Sequence, residues 1–378
     1  MIRSAAQAPV YIGLMSGTSL DGVDAVAAEF PESAPPRLLG HVHLPFDDAL
    51  RAELLALNSP GPDELHRSAL AANAVARAYS QAAQGLLARC SVAAKDVRAL
   101  GAHGQTVRHR PQAFDGTGYT VQLLNGALLA ELSGIDVVCD LRSRDIAAGG
   151  QGAPLVPAFH AALFAQASRA VAVLNLGGIA NLTLLPQAPN PVRGFDCGPG
   201  NALLDAWCEA HTGQRYDAGG AWAAQGRAIP GLLQAMLAEP FFALAPPKST
   251  GRDLFHRGWL DNALAHSPGA EARDVQATLS ELTATAAAQA LRAEQPQTTE
   301  LLVCGGGARN DDLMQRLARQ LPGVRVGTTE AEGLPVDQVE AMAFAWLAQA
   351  FVEREPGNRP EVTGARGLRV LGALHRAG

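Results

Sequence analysis

No stretch of the chain approaches the roughly 20 consecutive apolar residues of a membrane-spanning helix. Met1 to Pro9 lacks the apolar segment of a secretory leader. Neither a membrane protein nor a secreted one is therefore expected. Cysteine is scarce. Cys90, Cys139, Cys197, Cys208 and Cys304 form an odd set, and no pair has zinc-ligand spacing. Reduced thiols in a cytoplasmic protein are the simplest reading. Positive charge is not in excess either. Lys and Arg total 30 against 36 Asp and Glu, a formal charge of −6. The field that attracts nucleic acid is missing, so anionic small ligands need local donors. Two catalytic signatures are also absent: the Gly-x-Ser-x-Gly elbow, and the Gly-Lys-Ser/Thr that completes a Walker loop.

What is present is globular. Of the 378 residues, 48% are hydrophobic and 17% charged, a balance that excludes wholesale disorder. The length exceeds one small core, so two domains or one elaborated α/β domain is expected. The 39 glycines and 24 prolines imply many tight turns. Val10, Ile12 and Leu14 mark a first strand, Val23 to Phe30 a second, and Arg37 to Leu44 a third. Helical sequence runs from Asp63 to about Arg89. Short strands are expected at Ala99–His103, Tyr119–Leu123 and Val137–Asp140. A strand, a Gly-containing turn and a returning strand recur at Ala170–Leu185, an architectural echo of the start with poor residue identity. The last third alternates helix and strand, which argues for α/β layers. There Leu301–Cys304 reads as a buried strand. Val339, Met342, Ala343, Trp346, Leu347 and Ala350 read as the apolar face of an amphipathic helix. Glu355 to Gly367 reads as a loop before a last strand at Leu368–Leu371.

Five stretches are dense in chemistry. The run Ser16-Gly17-Thr18-Ser19-Leu20-Asp21-Gly22-Val23 can turn backbone N–H groups and hydroxyls toward an anion, although Asp-Gly is also an ordinary hairpin turn. Gly305-Gly306-Gly307, ahead of Asn310, offers more glycine than a tight strand–helix connection needs. Asp196, before the rigid Gly198-Pro199-Gly200 turn, suits a general base or simply caps the turn. His103 to Arg110 and Asp140 to Pro154 are rich in hydrogen-bonding groups, as a sugar or carboxylate site requires.

Taken together, GLMSGTSLDGVD, GAHGQTVRHRP, DLRSRDIAAGGQGAPLVP, LNLGGIANLT, GFDCGPGNALLD, CGGGARND and LPVDQVEAMAFAWLA resemble the anhydro-N-acetylmuramic acid kinases, in order from Gly13 to about Leu347. The resemblance implies an α/β fold of the actin-like, sugar-kinase and heat-shock ATPase superfamily. That is two ribonuclease H-like domains with mixed sheets flanked by helices and the active site in the interdomain cleft. Expected boundaries are 1–140 for the N-terminal domain and 141–365 for the C-terminal one, with a tail at 366–378 that could return to the first. The implied reaction is ATP-dependent conversion of 1,6-anhydro-N-acetylmuramic acid to N-acetylmuramic acid 6-phosphate and ADP, in cell-wall sugar recycling or amino-sugar catabolism.

Carried over by motif, Ser16 to Val23 line the ATP phosphates. Asn175, Gly177, Gly178 and Asn181 match a second phosphate loop, and Gly305, Gly306, Gly307 and Asn310 the nucleotide-binding turn. Asp196 matches the catalytic aspartate. Gln105, Arg142 and Glu340 are candidate sugar contacts. Cys197 departs from the family's usual Thr. The resemblance further implies ATP with Mg²⁺, metal ligands unspecified, a homodimer, and no nucleic-acid or membrane partner. Two alternatives stand beside it: another sugar or carboxylate kinase of the same superfamily, and a non-catalytic actin-like ATP-binding sugar sensor. A sensor would have no need of Asp196.

Overall fold

The computed structural model describes residues 8–17, 19–31, 34–166, 168–251, 254–265 and 267–378. Thr18, one of the expected phosphate-loop residues, lies outside them. The chain divides into two compact units: the segment up to Phe159 with Gln338–Gly378, and His160–Asp337. These divisions fall at 159/160 and 337/338, where the sequence reading put boundaries at 140/141 and 365/366.

The first unit is built on a six-stranded mixed sheet. β1 (Val10–Met15) runs antiparallel to β2 (Gly22–Glu29), and β2 antiparallel to β3 (Arg37–Pro45). On the other side of β1 lies β4 (Val97–Ala102), parallel to it. β5 (Gln105–Pro111) and β6 (Gly118–Leu123) form a separate hairpin. β7 (Val137–Cys139) continues the sheet parallel to β4.

The second unit repeats the plan. β8 (Val171–Leu176), β9 (Ile179–Leu185) and β10 (Arg193–Pro199) form an antiparallel meander. β11 (Glu300–Cys304) and β12 (Arg325–Thr328) then extend it in parallel from β8. The order β3-β2-β1-β4-β7 therefore matches β10-β9-β8-β11-β12, strand for strand and direction for direction. β8 is buried along its whole length, as a strand with both faces covered should be. The echo seen in the sequence is thus a duplicated topology.

Alternation along β1 assigns its two faces. Val10, Ile12 and Leu14 join the core formed with the helix Glu64–Cys90, through Val75, Tyr79 and Leu86. Gly13 lies on the opposite face. A Cβ there would collide with the backbone of Ala341 and Ala345, and one at Gly101 with the carbonyl of Phe344. These two glycines let the helix Val339–Val352 sit directly on the sheet. That helix is not amphipathic as the sequence suggested. Ala341, Phe344, Ala345 and Ala348 are buried as well as the predicted face, while Trp346 is partly exposed. A second correction concerns the C-terminus. The last strand, β13, is Ala373–His375, pairing antiparallel with β7 at the sheet edge. The expected strand at 368–371 does not form, and the expected loop contains a short helix, Pro360–Thr363.

Candidate active site

In open α/β sheets, ligand-binding groups collect where strands end at their carboxyl edge. β1, β4 and β7 are parallel and share such an edge. The turn after β1 begins with Ser16, which is buried. Its hydroxyl lies 2.8 Å from the Tyr79 hydroxyl and donates to the Gly104 carbonyl at 3.3 Å. Burial raises the Tyr79 pKa well above the phenol range, so this contact is neutral. The next residues of the turn are held by their carbonyls. His103 Nδ1 lies 3.2 Å from the Ser16 carbonyl oxygen. Gln105 Nε2 donates to the Gly17 carbonyl at 3.1 Å, and Leu20 N–H to the same carbonyl at 3.3 Å. Leu20 adopts φ +57° with its side chain in the core, and Val23 is buried within β2. Both can therefore present only backbone to a ligand. Ser19 and Asp21 are exposed and joined by a 2.7 Å hydrogen bond.

The three candidate sugar residues differ in setting. Gln105 is fully buried, and its Oε1 has no partner among the described residues. Arg142, after β7, donates through Nη2 and Nε to His103 Nε2 at 2.8 and 3.3 Å, and through Nη1 to the Gly152 carbonyl at 2.9 Å. Burial brings its guanidinium down to about 10, opposed by the negative charges of Glu340 and Asp145. It stays a cation at neutral pH. Glu340 is partly buried in the first turn of Val339–Val352. Arg142 and Glu340 are thus electrostatic neighbours.

Asp145 was not singled out from the sequence as a site residue. Its carboxylate, fully buried, accepts from Gly152 N–H, Asn358 Nδ2 and Thr363 Oγ1, each at 2.8 Å. It pins the Gly149–Gly152 loop, and with it the carbonyl that Arg142 grips, to a segment more than 200 residues away.

In the second unit, β8 and β11 run in one direction. β10 shares it through two antiparallel pairings. Their carboxyl ends carry Asn175–Gly178, Gly305–Gly307 and Asp196–Gly200. The first N–H groups of the helix Asn201–Thr212 are taken by the β8–β9 turn: Asn201 N–H by the Gly177 carbonyl at 2.8 Å, and Ala202 N–H by the Gly178 carbonyl at 3.2 Å. Asn201 Nδ2 donates to the Leu176 carbonyl at 2.9 Å.

The three consecutive glycines are not equivalent. Gly305 has φ +80°, and a Cβ on it would strike Asn175 and Leu176. One on Gly307 would strike Leu176 and crowd Asn201. Only Gly306 of the three has room, its nearest neighbour being Asn201 Nδ2 at 3.9 Å. Asn310, expected to touch nucleotide, uses its side-chain oxygen to cap the helix Asp311–Gln320, accepting from Leu313 N–H at 3.0 Å.

Asp196 sits on β10 opposite Asn181 on β9. Its N–H donates to the Lys248 carbonyl at 3.1 Å, and its Oδ2 accepts from Thr250 N–H at 2.9 Å. Burial pushes its carboxyl up to about 6, partly opposed by the Thr250 hydrogen bond. Cys197, at the neighbouring bulge, directs its Sγ to the Ala180 carbonyl at 3.2 Å, so it does not compete for the carboxylate. The Lys248–Thr250 strap was missed from the sequence. Its only signal was a Lys-Ser-Thr-Gly run after paired prolines. Lys248 Nζ is spent on the Phe241 and Phe242 carbonyls, at 3.2 Å each. Among the described residues, no group of three His, Cys, Asp or Glu side chains could hold a metal ion, and no helix is long and apolar enough to cross a membrane.

A family model described as anhydro-N-acetylmuramic acid kinase matches residues 9–377. Relatives bearing that name include one from Variovorax paradoxus, 60% identical over 372 residues, covering 97% of this chain and 99% of the relative. Another, from Cupriavidus metallidurans, is 56% identical, covering 99% of this chain and all of the relative. Among solved structures, the activator of the 2-hydroxyisocaproyl-CoA dehydratase from Clostridium difficile aligns over 91% of this chain and 96% of its own, at 12% identity and a TM-score of 0.48.

Proposed function

The chain belongs to the anhydro-N-acetylmuramic acid kinase family, and from that premise we propose how its residues divide the reaction. The activity is ATP-dependent: 1,6-anhydro-N-acetylmuramic acid is opened hydrolytically and phosphorylated on O6, giving N-acetylmuramic acid 6-phosphate and ADP.

The substrate dictates what the base must do. In a 1,6-anhydro sugar, O6 is bonded to C1 and carries no proton for an ordinary kinase base to remove. The base acts on water instead. Asp196 takes a proton from a water that attacks C1. The C1–O6 bond breaks, and its electron pair stays on O6. O6 then attacks the γ-phosphorus, the P–O bond to the β-phosphate breaks, and ADP leaves. The proton on Asp196 passes to solvent. The observation that carries this reading is the setting of Asp196. One carboxylate oxygen is held by Thr250 N–H, and burial lifts the pKa to about 6. Such a base is mostly ionised at neutral pH yet much more basic than a free aspartate.

The other assignments are made residue by residue. Backbone N–H groups of the Gly17–Gly22 turn apart from Leu20, of the Gly177-Gly178 turn and of Gly306-Gly307 contact phosphates, Gly306 most closely because its Cβ side is open. Gly305 N–H is taken by the Val336 carbonyl at 2.9 Å, so Gly305 shapes the turn. Mg²⁺, when bound with the nucleotide, neutralises phosphate charge. An ion carried on phosphates needs only one or two protein carboxylates. Exposed Asp21 fits that role better than Asp24, which is engaged by His41 and His43 at 3.0 Å each. The Arg142 cation suits the carboxylate of the muramic acid, with Glu340 and Gln105 as hydrogen-bonding partners of the sugar. A homodimer and a cytoplasmic location complete the proposal. Light scattering after gel filtration tests the former.

The decisive experiment is product analysis with the anhydro sugar and ATP. The expected product carries one added water and one added phosphoryl group, with one ADP per sugar opened. Phosphorylation without ring opening, or ADP release without sugar product, overturns the reading.

A further inference from the structure

His103 belongs to none of the groups given a role above, yet it is buried and bonded at both ring nitrogens. Arg142 is a permanent cation with donors only, so the 2.8 Å contact from its Nη2 forces His103 Nε2 to be an acceptor. The proton of a neutral ring then sits on Nδ1, where it meets the Ser16 carbonyl at 3.2 Å. The tautomer is set by chemistry on both sides. Burial and the Arg142 charge hold the ring neutral, bringing its pKa down to about 3. Phe344 packs against the ring at 4.8 Å between centroids, and His103 N–H donates to the Leu14 carbonyl at 2.9 Å, so the ring has little freedom to turn.

We propose that His103 is a positioning residue that sets Arg142 for the sugar and the Ser16-Gly17 turn for the nucleotide through one neutral ring. This rests on the assignment of Arg142 to sugar and of that turn to phosphate. Any buried imidazole needs partners at both nitrogens; what sets His103 apart is the identity of its two partners. It joins two groups of different assigned duty, Arg142 at Nε2 and the Ser16 carbonyl at Nδ1. The neighbouring Gln105 grips the next carbonyl of the same turn, so His103-Gly104-Gln105 acts as a clamp on it.

Two amide variants separate the bonds, because each copies one nitrogen. His103→Asn places a donor near the Nδ1 position and lacks the acceptor for Arg142. His103→Gln places an acceptor near Nε2 and lacks the donor to Ser16. A hydrogen bond to a charged group is worth more than a neutral one. The expected result is therefore a sugar KM raised about tenfold or more in His103→Asn with ATP KM little changed, and an ATP KM raised roughly three- to tenfold in His103→Gln with sugar KM little changed. Equal effects of the two variants on both constants, or none, overturn the proposal.

Arg142→Ala is the control. If it raises sugar KM and His103→Asn does not, the positioning role alone falls. If it leaves sugar KM unchanged, the sugar assignment falls and the proposal with it. The wild-type protein supplies a readout independent of any variant's folding. Nitrogen NMR of the ring should show Nδ1–H with bare Nε2, unchanged between pH 6 and 8. A protonated Nε2 in that range overturns the proposal.

Discussion

At the scale of the single residue, Asp196 shows how one environment serves catalysis at the expense of stability. Its carboxyl stands at about 6 in the folded chain against an ordinary 3.8. Between those values the folded state holds more protons than the unfolded one, so this group's contribution to stability falls as pH rises through the window. The same ionisation switches the base on. The expected kcat/KM for the sugar therefore rises with pH through about 6 and then levels, as a pH–rate profile would show. Asp196→Asn should cost on the order of 10²–10⁴ in kcat while raising Tm at pH 7, a gain that fades below the ordinary carboxyl value. A variant with near wild-type turnover removes Asp196 from the chemistry. Glu340 is the second residue-scale case. A solvated first-turn acid contributes only about 0.3–1 kcal/mol to stability and nothing to kinetics. Its charge faces Arg142 instead, so Glu340→Gln should raise sugar KM, lower kcat, or both, with ATP KM little changed. Wild-type steady-state kinetics would strike it from the site.

At the scale of the element, the glycines sort by what a side chain would meet. Gly306 and Gly17 have room for a Cβ, whereas one at Gly305 or Gly307 would come within 3 Å of Asn175 or Leu176 at the end of β8. Gly306→Val and Gly17→Val should fold with a Tm close to wild type and lose affinity for a non-hydrolysable ATP analogue by calorimetry. Gly305→Ala and Gly307→Ala should lose Tm first, because the neighbouring atoms belong to the end of β8 and to Asn201 at a helix start. Unchanged ATP affinity in folded Gly306→Val would count against the loop's role. The helix Val339–Val352 obeys the same rule at Gly13 and Gly101. There the absence of a Cβ lets backbone meet backbone and brings Phe344 against His103.

At the scale of the whole molecule, the chain's last 41 residues belong with its first 159. β13 extends the first sheet, and Asn358 and Thr363 supply two of the three donors that satisfy buried Asp145. A buried carboxylate with three donors cannot be removed without stranding them. Asp145→Ala should destabilise by about 3–5 kcal/mol, read as a lower urea midpoint for the transition of the unit that contains it, with the slope unchanged. It should also raise sugar KM, because the Gly152 carbonyl that steadies Arg142 is held by the same carboxylate. A midpoint within error of wild type would show that Asp145 is dispensable to this arrangement.

The chain on its own determined the duplicated strand–turn–strand starts, because a buried strand writes itself locally as an unbroken apolar run, as at Ala170–Leu174. It also displayed the dense motifs at Ser16–Val23, Asp196 and Gly305–Gly307, since turns that approach ligands or backbone demand small residues wherever they occur. Tertiary structure alone decided why Gly305 and Gly307 differ from Gly306, for the colliding atoms lie at Asn175, Leu176 and Asn201. It alone brought the Thr250 N–H to Asp196, Asn358 to Asp145, and Arg142 to His103. It also moved the last strand to Ala373–His375, a three-residue edge too short to carry a periodic signal. The division follows from the range of the forces. Periodicity and turn chemistry act over a few residues and leave a mark in the order of amino acids. A hydrogen bond or steric contact across the fold depends on a partner that sequence spacing does not identify.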